Sequence, residues 1–237
     1  MVKRRQPPPS ESGTLLPVSL TSAWVDQDYG DRLLVGLDEV GRGALFGPVV
    51  AAAVVLPPDS YALLSTLGVT DSKQLSATQR SRLFAQIQQV SLDCQIGLAS
   101  VGEIDRLNIL QASLLAMRRA FLKLSVAPTF CLVDGNQRIP HLAVEQQTLV
   151  QGDRRSLAIA AASIIAKVWR DDLIIRLAKR YPNYGLDRHK GYGTLTHRQA
   201  LQQHGLTPQH RRSFAPCQIL PASTSDQLPL NLFCEPQ

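Results

Sequence analysis

The chain has 237 residues, 44% of them hydrophobic, and its 25 lysines and arginines outnumber 19 aspartates and glutamates, giving a net charge of +6 and a pI near 9.4. That is enough material for one full core, and the basic balance favours polyanionic partners such as nucleic acid over acidic proteins. It excludes a membrane span, because no run approaches the ~18 apolar residues one requires. The four cysteines, Cys94, Cys131, Cys217 and Cys234, lack zinc-ribbon spacing and read as reduced thiols.

Residues 1–28 are rich in Pro, Ser and Gln, with Pro7-Pro8-Pro9 where a secretory signal would carry its apolar core. A disordered N-terminal tail and a cytoplasmic location are therefore expected. A folded domain over 29–221 and a second disordered tail over 222–237 complete the expected organisation, with no internal repeat. Strand-like apolar runs occupy 33–37, 49–56, 94–100 and 130–133. Ser76-Ala77-Thr78-Gln79 fits a capping box and predicts a helix starting at about 77. Leu107, Leu110, Leu114, Met117, Phe121 and Leu124 step by three and four, predicting one long amphipathic helix over 103–124. An Ala/Ile-rich helix over 156–180 should stop at Tyr181-Pro182. Together these argue for an α/β layer fold with helical material at its C-terminal end.

The chemistry-bearing residues lie at the ends of these runs. Asp38 and Glu39 follow the first strand, Asp134 follows the fourth, and Asp153 stands just ahead of the last long helix. In open α/β sheets the crevice at the carboxyl ends of strands is the usual ligand site. Alternation would send Asp38 and Glu39 to opposite faces, so Glu39 joins the group only if the strand ends or bends near Gly41. Two carboxylates ~4 Å apart repel by about 4 kcal/mol at an effective dielectric of 20, so a cluster of four calls for a divalent ion. Two ions ~3.5–4 Å apart could activate water and stabilise the leaving oxygen of a phosphodiester. Local explanations compete: Asp153 as a helix cap, Asp134 as an Asx turn, Asp71 as a turn residue before Ser72-Lys73, and Asp171 as an exposed or locally paired helix residue, whereas Asp38-Glu39 abutting an apolar strand is costly unless something is bound.

Five fragments in order, Asp38-Glu39-Val40-Gly41-Arg42-Gly43, Asp71-Ser72-Lys73, Val133-Asp134-Gly135-Asn136, Gly152-Asp153 with the alanine-rich helix after it, and His189-Lys190-Gly191-Tyr192, resemble type 2 ribonuclease H, bacterial ribonuclease HII. The resemblance runs from about 33 to 216. It implies a ribonuclease H-like fold, a mixed β-sheet flanked by helices with a small C-terminal helical region. It implies a metal-dependent endoribonuclease that cuts the RNA strand of RNA/DNA hybrids and incises 5′ of single ribonucleotides in duplex DNA, leaving 3′-hydroxyl and 5′-phosphate ends.

By the same matching Asp38, Glu39, Asp134 and Asp153 would be the catalytic acids and would hold one or two Mn²⁺ or Mg²⁺ ions. The Gly41-Arg42-Gly43 main chain would sense the ribose 2′-hydroxyl, and Tyr192 would pack on the adjacent deoxyribose. Gln151 stands where many relatives carry Lys. Lys73, Lys190, Arg211 and Arg212, with Arg154 and Lys167, would supply phosphate contacts. Ser163 reads as a small packing residue in the helix, and His189 and His210 as hydrogen-bonding or phosphate-contacting groups. A monomer is expected, with a sliding-clamp contact through a tail left open. The rival readings are a hybrid-binding protein without catalysis and another nuclease or integrase on the same fold.

Overall fold

The computed structural model describes residues 24–30 and 32–218. Five strands, β1 (Leu34–Val40), β2 (Val49–Val55), β3 (Asp93–Ala99), β4 (Phe130–Asp134) and β5 (Glu145–Leu149), form one mixed sheet in the order β3-β2-β1-β4-β5. The β3-β2-β1 side is antiparallel, and β1-β4-β5 is parallel. The helices are α1 (Ser60–Thr66), α2 (Ala77–Val90), α3 (Val101–Leu107), α4 (Ile109–Leu122), α5 (Leu157–Arg180), α6 (Leu186–His189), α7 (Leu195–His204) and α8 (Ala215–Gln218).

Period-2 alternation along β2 divides the core. Val49, Ala51, Ala53 and Val55 face a cluster with Ala112, Ala116 and Met117 of α4, while Ala52 and Val54 face one with Ala158, Ala161 and Ile165 of α5. Small residues set the layer spacing. A Cβ on Gly36 would lie 2.1 Å from the Ala158 carbonyl carbon, so α5 rests directly on β1.

The capping box at Ser76 and Gln79 starts α2 as expected, and α5 runs to Arg180. Three expectations change. The single helix over 103–124 is two, because Asn108 adopts a φ of 72° and its side chain caps α4 at the Gln111 N–H. Strand β5 carries Glu145, Gln146, Gln147 and Thr148, so its polar edge gave no apolar signal.

The third change is at the N-terminus, where the folded part begins earlier than residue 29. Residues 25–29 form a 3₁₀ turn, and Asp26, 5% exposed, accepts hydrogen bonds from Ser156 Oγ (2.7 Å) and the Leu157 N–H (2.6 Å). It thereby caps α5 across the fold. The expected disordered tails otherwise fall outside the described residues. Replacing Asp26 by Ala should lower stability by about 1–2 kcal/mol. Urea unfolding measures this, and an unchanged midpoint would remove the capping role.

Candidate active site

The parallel pairing of β1 with β4 ends at Leu37 and Val133, so the next residues, Asp38 and Asp134, emerge side by side. Both follow strand positions that face α5 (Gly36 against Ala158, Leu132 packed with Ile159), so alternation places both acids on that face. The strand does not end at residue 37. Its pairing with β2 continues through Glu39 and Val40, and Gly41, with φ +91°, then turns the chain. Glu39 nevertheless remains within electrostatic reach of Asp134.

Asp153 enters from the turn ahead of α5. Gln151 is left-handed (φ 55°), and Gly152 brings its N–H to Asp134 Oδ1 at 2.7 Å, where a Cβ would meet Ile159 at 2.6 Å. Asp153 is thus part of a 3₁₀ turn, and the α5 cap is formed by Ser156 with Asp26 instead. Asp134 bonds across to Gly152, which replaces the local Asx-turn reading.

Burial first, then the charges of Glu39 and Asp134, holds Asp38 well above the usual carboxylate range. Burial also raises Glu39, with Asp134 adding to it against the pull of Arg42, and it raises Asp153, where Asp71 and Asp134 add to it against Lys73. The four acids therefore share one electrostatic neighbourhood, with Lys73 Nζ 3.4 Å from Asp153 and Arg42 Nη1 3.2 Å from Glu39.

Among the described residues no three His, Cys, Asp or Glu side chains already enclose a metal position. Oxygens of Asp38, Asp134, Asp153 and Glu39 accept from the Glu39 N–H, the Gly152 N–H, Lys73 and Arg42, respectively. The donor set nonetheless fits a hard divalent cation: it is all carboxylate oxygen, it is largely buried, and its mutual repulsion is only partly offset.

A pH dependence follows from Asp38. Its ordinary value is 3.8 and the folded value is raised, so the unfolded chain ionises first as pH rises and folding loses stability through that range. Without metal, the stability advantage of Asp38→Asn over the parent chain should be small near pH 4 and widen towards pH 8. Paired urea titrations in EDTA would contradict this by giving a constant gap.

Two supporting residues take roles that their own stretches of sequence did not assign them. Ser163, expected only to pack, shares a hydrogen bond with Ser72 Oγ at 2.8 Å and lies close enough to Asp38 to favour its charged form. Asp71 is 2% exposed and holds the Lys73 N–H (2.9 Å) and the Arg154 guanidinium (3.1 Å), placing both bases at the rim.

Arg170 is wholly buried and spans the carbonyls of Phe46 (2.9 Å), Pro48 (3.1 Å) and Lys190 (3.0 Å). Arg211 is a correction: expected at a phosphate, it is fully buried and donates to the carbonyls of Arg42 (2.8 Å) and Gly47 (2.9 Å). Its guanidinium shapes the glycine-flanked turn from beneath and does not reach solvent.

His210, 1% exposed, is equally unable to meet a phosphate. Lys167 pairs with Asp171 at 2.8 Å, and its Nζ lies 5.7 Å from the Tyr192 ring centroid. Lys190 bonds to the Asp187 carbonyl. Arg212 is exposed, and its main-chain N–H is held by Asp105. Tyr192 is half-buried at the same rim, beside the glycine-flanked turn through an isolated bridge with Ala44.

A mixed sheet with an antiparallel first half, acids at the adjoining ends of β1 and β4, and a helix packed behind them defines the ribonuclease H class of nuclease. The family model for Ribonuclease HII matches residues 35–217. A Ribonuclease HII of Trichodesmium erythraeum is 62% identical over 186 residues, covering 78% of this chain and 88% of the relative. One from Nostoc sp. is 53% identical over 93% of this chain and 99% of its own. The chain belongs to the ribonuclease HII family.

Among solved structures, ribonuclease H2 from Pyrococcus horikoshii OT3 aligns with a TM-score of 0.67 at 28% identity, covering 78% and 95% of the two chains. The RNase HII of a PCNA:RNase HII complex from Archaeoglobus fulgidus aligns at 0.62 and 28% identity, covering 72% and 86%. The protein is accordingly a ribonuclease H endonuclease that leaves 5′-phosphate ends, of a family dependent on divalent metal. No helix among the described residues is long and apolar enough to cross a membrane.

Proposed function

We propose that Asp38, Glu39, Asp134 and Asp153 hold one or two Mg²⁺ or Mn²⁺ ions and that the surrounding residues select a ribonucleotide for incision on its 5′ side. The observation that carries this is the convergence of four carboxylates at one end of the sheet, with Asp38 and Asp153 each 5% exposed. Bound there, divalent ions would supply Lewis acidity at the scissile phosphate and a water nucleophile at neutral pH.

The protein's own contribution is placement. The Glu39 N–H orients Asp38, Ser163 favours its charged form, and the Gly152 N–H orients Asp134. Lys73 and Arg154, fixed by Asp71, face the substrate backbone as phosphate contacts that carry no sequence information. Arg42, Lys190 and Arg212 add to that basic rim, which makes binding weaken steeply with salt.

Arg42 and Gly43 expose main chain at the turn while Gly41 lies buried beneath them, and the 2′-hydroxyl is the one group that distinguishes ribose from deoxyribose there. Tyr192 offers an aromatic face to the next sugar, where an added hydroxyl would crowd it. The enzyme then acts as a cytoplasmic monomer on ribonucleotides in hybrid and chimeric duplexes. A duplex carrying one ribonucleotide should be cut 5′ of it, and the same duplex with 2′-O-methyl or 2′-deoxy sugar at that position should stay intact. Equal cutting of all three would sink the proposed recognition of the 2′-hydroxyl.

The Archaeoglobus relative assembles with PCNA. For this chain we propose a clamp contact through Gln227-Leu228-Pro229-Leu230-Asn231-Leu232-Phe233, an alternating apolar run in a polar stretch outside the described residues. Such a run suits docking of an extended peptide in an apolar groove. Binding of full-length protein to a sliding clamp should disappear in a Leu232→Ala/Phe233→Ala variant, and unaltered binding would remove this segment as the contact.

A further inference from the structure

Behind Tyr192 lies a row of histidines outside the acid chemistry. His197 and His210 are buried, and His189 stacks on His197 with centroids 4.5 Å apart and planes 19° apart. Their partners decide their tautomers. The Thr207 main-chain N–H can only donate, and it meets His210 Nδ1 at 3.0 Å, so that nitrogen accepts. Burial keeps both rings neutral, pushing His210 down to about 3 and His197 down to about 4. A neutral His210 then carries its proton on Nε2 and donates to His197 Nε2 across 3.2 Å. His197 is left with its proton on Nδ1, which donates to the Tyr192 carbonyl at 3.0 Å. The hydrogen bonds run in one direction, from Thr207 N–H to Tyr192 C=O.

This row ends on the Tyr192 carbonyl, which also accepts from the Thr194 N–H at 2.8 Å, so His197 is one of two donors that hold it. Lys190 and Gly191 are both left-handed, with φ of 53° and 83°, and a Cβ on Gly191 would come within 2.9 Å of the Phe46 carbonyl. The His189 ring accepts from the Gly191 N–H (3.2 Å) and bonds to the Tyr184 carbonyl (2.8 Å). The Leu45 N–H donates to the Gly191 carbonyl at 2.8 Å, and isolated bridges join Ala44 to Tyr192 and Phe46 to His210. The histidine row, the Tyr192 turn and the chain leaving Gly41-Arg42-Gly43 therefore form one interlocked unit.

We infer that His197 and His210 are positioning residues for substrate selection: their ordered hydrogen bonds fix Tyr192 relative to the Gly41-Arg42-Gly43 main chain, and so set the enzyme's preference for a ribonucleotide followed by a deoxyribonucleotide. This rests on the roles proposed above for those two groups. A hybrid, in which ribose follows ribose, does not present the deoxyribose to Tyr192, whereas a single ribonucleotide in DNA does. Loss of the row therefore lowers cleavage of the second substrate more than the first.

The test compares kcat/KM on a DNA duplex with one ribonucleotide and on an RNA/DNA hybrid of the same sequence, both with Mg²⁺. In His197→Gln no N–H occupies the Nδ1 position, and the preference for the single-ribonucleotide duplex should fall about tenfold. His197→Asn restores that N–H but not the acceptor for His210 Nε2–H, so its loss of preference should be smaller, about threefold. Added to Tyr192→Ala, His197→Gln should change the ratio no further, because both act through one group. Equal loss on both substrates in His197→Gln means packing alone and overturns the inference.

If Tyr192→Ala lowers the ratio and His197→Gln does not, the inference fails while the Tyr192 role stands. If Tyr192→Ala leaves the ratio unchanged, the Tyr192 role fails and the inference with it. Imidazole ¹⁵N spectra of the full chain at pH 7 give an answer even where a variant does not fold. Nε2–H on His210 with Nδ1–H on His197 supports the row, and the reverse tautomers or charged rings overturn it.

Discussion

Asp38→Asn should lower cleavage of a chimeric duplex by about 10³-fold or more while leaving duplex affinity nearly unchanged. Asparagine keeps the size of the side chain and its contact with Ser163, and removes the charge that a divalent ion would need. The same substitution should raise the stability of the metal-free protein by about 1–2 kcal/mol, since it relieves repulsion from Glu39 and Asp134 within a buried site. That pairing of effects separates a functional loss from a folding failure. Asp134→Asn should behave alike in activity, because its register brings it beside Asp38 at the same end of the sheet. Single-turnover assays, filter binding and EDTA melts measure the three quantities. A variant that retains turnover, or one that loses activity by unfolding, would contradict the assignment of Asp38.

Arg170→Met should destabilise the protein by about 3–5 kcal/mol and depress cleavage of every substrate. Among the described residues the buried guanidinium has no carboxylate ion-pair partner, and its bonds to the carbonyls of Phe46, Pro48 and Lys190 tie α5 to the segment that follows the glycine-flanked turn and to the Tyr192 turn. Methionine fills much of the volume but leaves three carbonyls unpaired. Arg170→Lys should recover only part of the loss, because an ammonium cannot span the three acceptors that a planar fork reaches. Gly41 belongs to the same contact: a Cβ there would fall 2.1 Å from Arg170 Nε. Equilibrium urea unfolding with parallel rates on hybrid and single-ribonucleotide duplexes checks this, and a loss under about 1 kcal/mol would show the turn to be held by something else.

Much of this arrangement was legible in the sequence because apolar runs, a capping box and acids at strand ends are local signals. Asp38 and Asp134 could be paired in advance only on the condition that their strands are neighbours, which the parallel β1–β4 pairing meets. What stayed hidden depends on three-dimensional neighbours. Ser163 looks like any small residue in an alanine run until Asp38 and Ser72 are placed beside it. Arg170 and Arg211 look like surface bases, because nothing in their own stretches announces that they end against main-chain carbonyls. The same limit explains Arg211: a basic residue in a basic segment suggests phosphate, and only the fold reveals it beneath the turn. Asn108 was the exception, a helix-capping residue in the middle of a periodic stripe whose break the apolar periodicity masked. Strand β5 was missed because even a buried position in it carries Gln146 and leaves no apolar alternation, and Asp26 because its partners lie 130 residues away.

The most direct test of the carboxylate site is the anomalous signal of Mn²⁺ in crystals of the protein with a chimeric duplex. The account predicts density at coordination distance from Asp38, Glu39, Asp134 or Asp153 and beside the phosphate 5′ of the ribonucleotide. Density that touches none of these four side chains, with Asp134 still turned to Gly152 and Asp153 to Lys73, would contradict it.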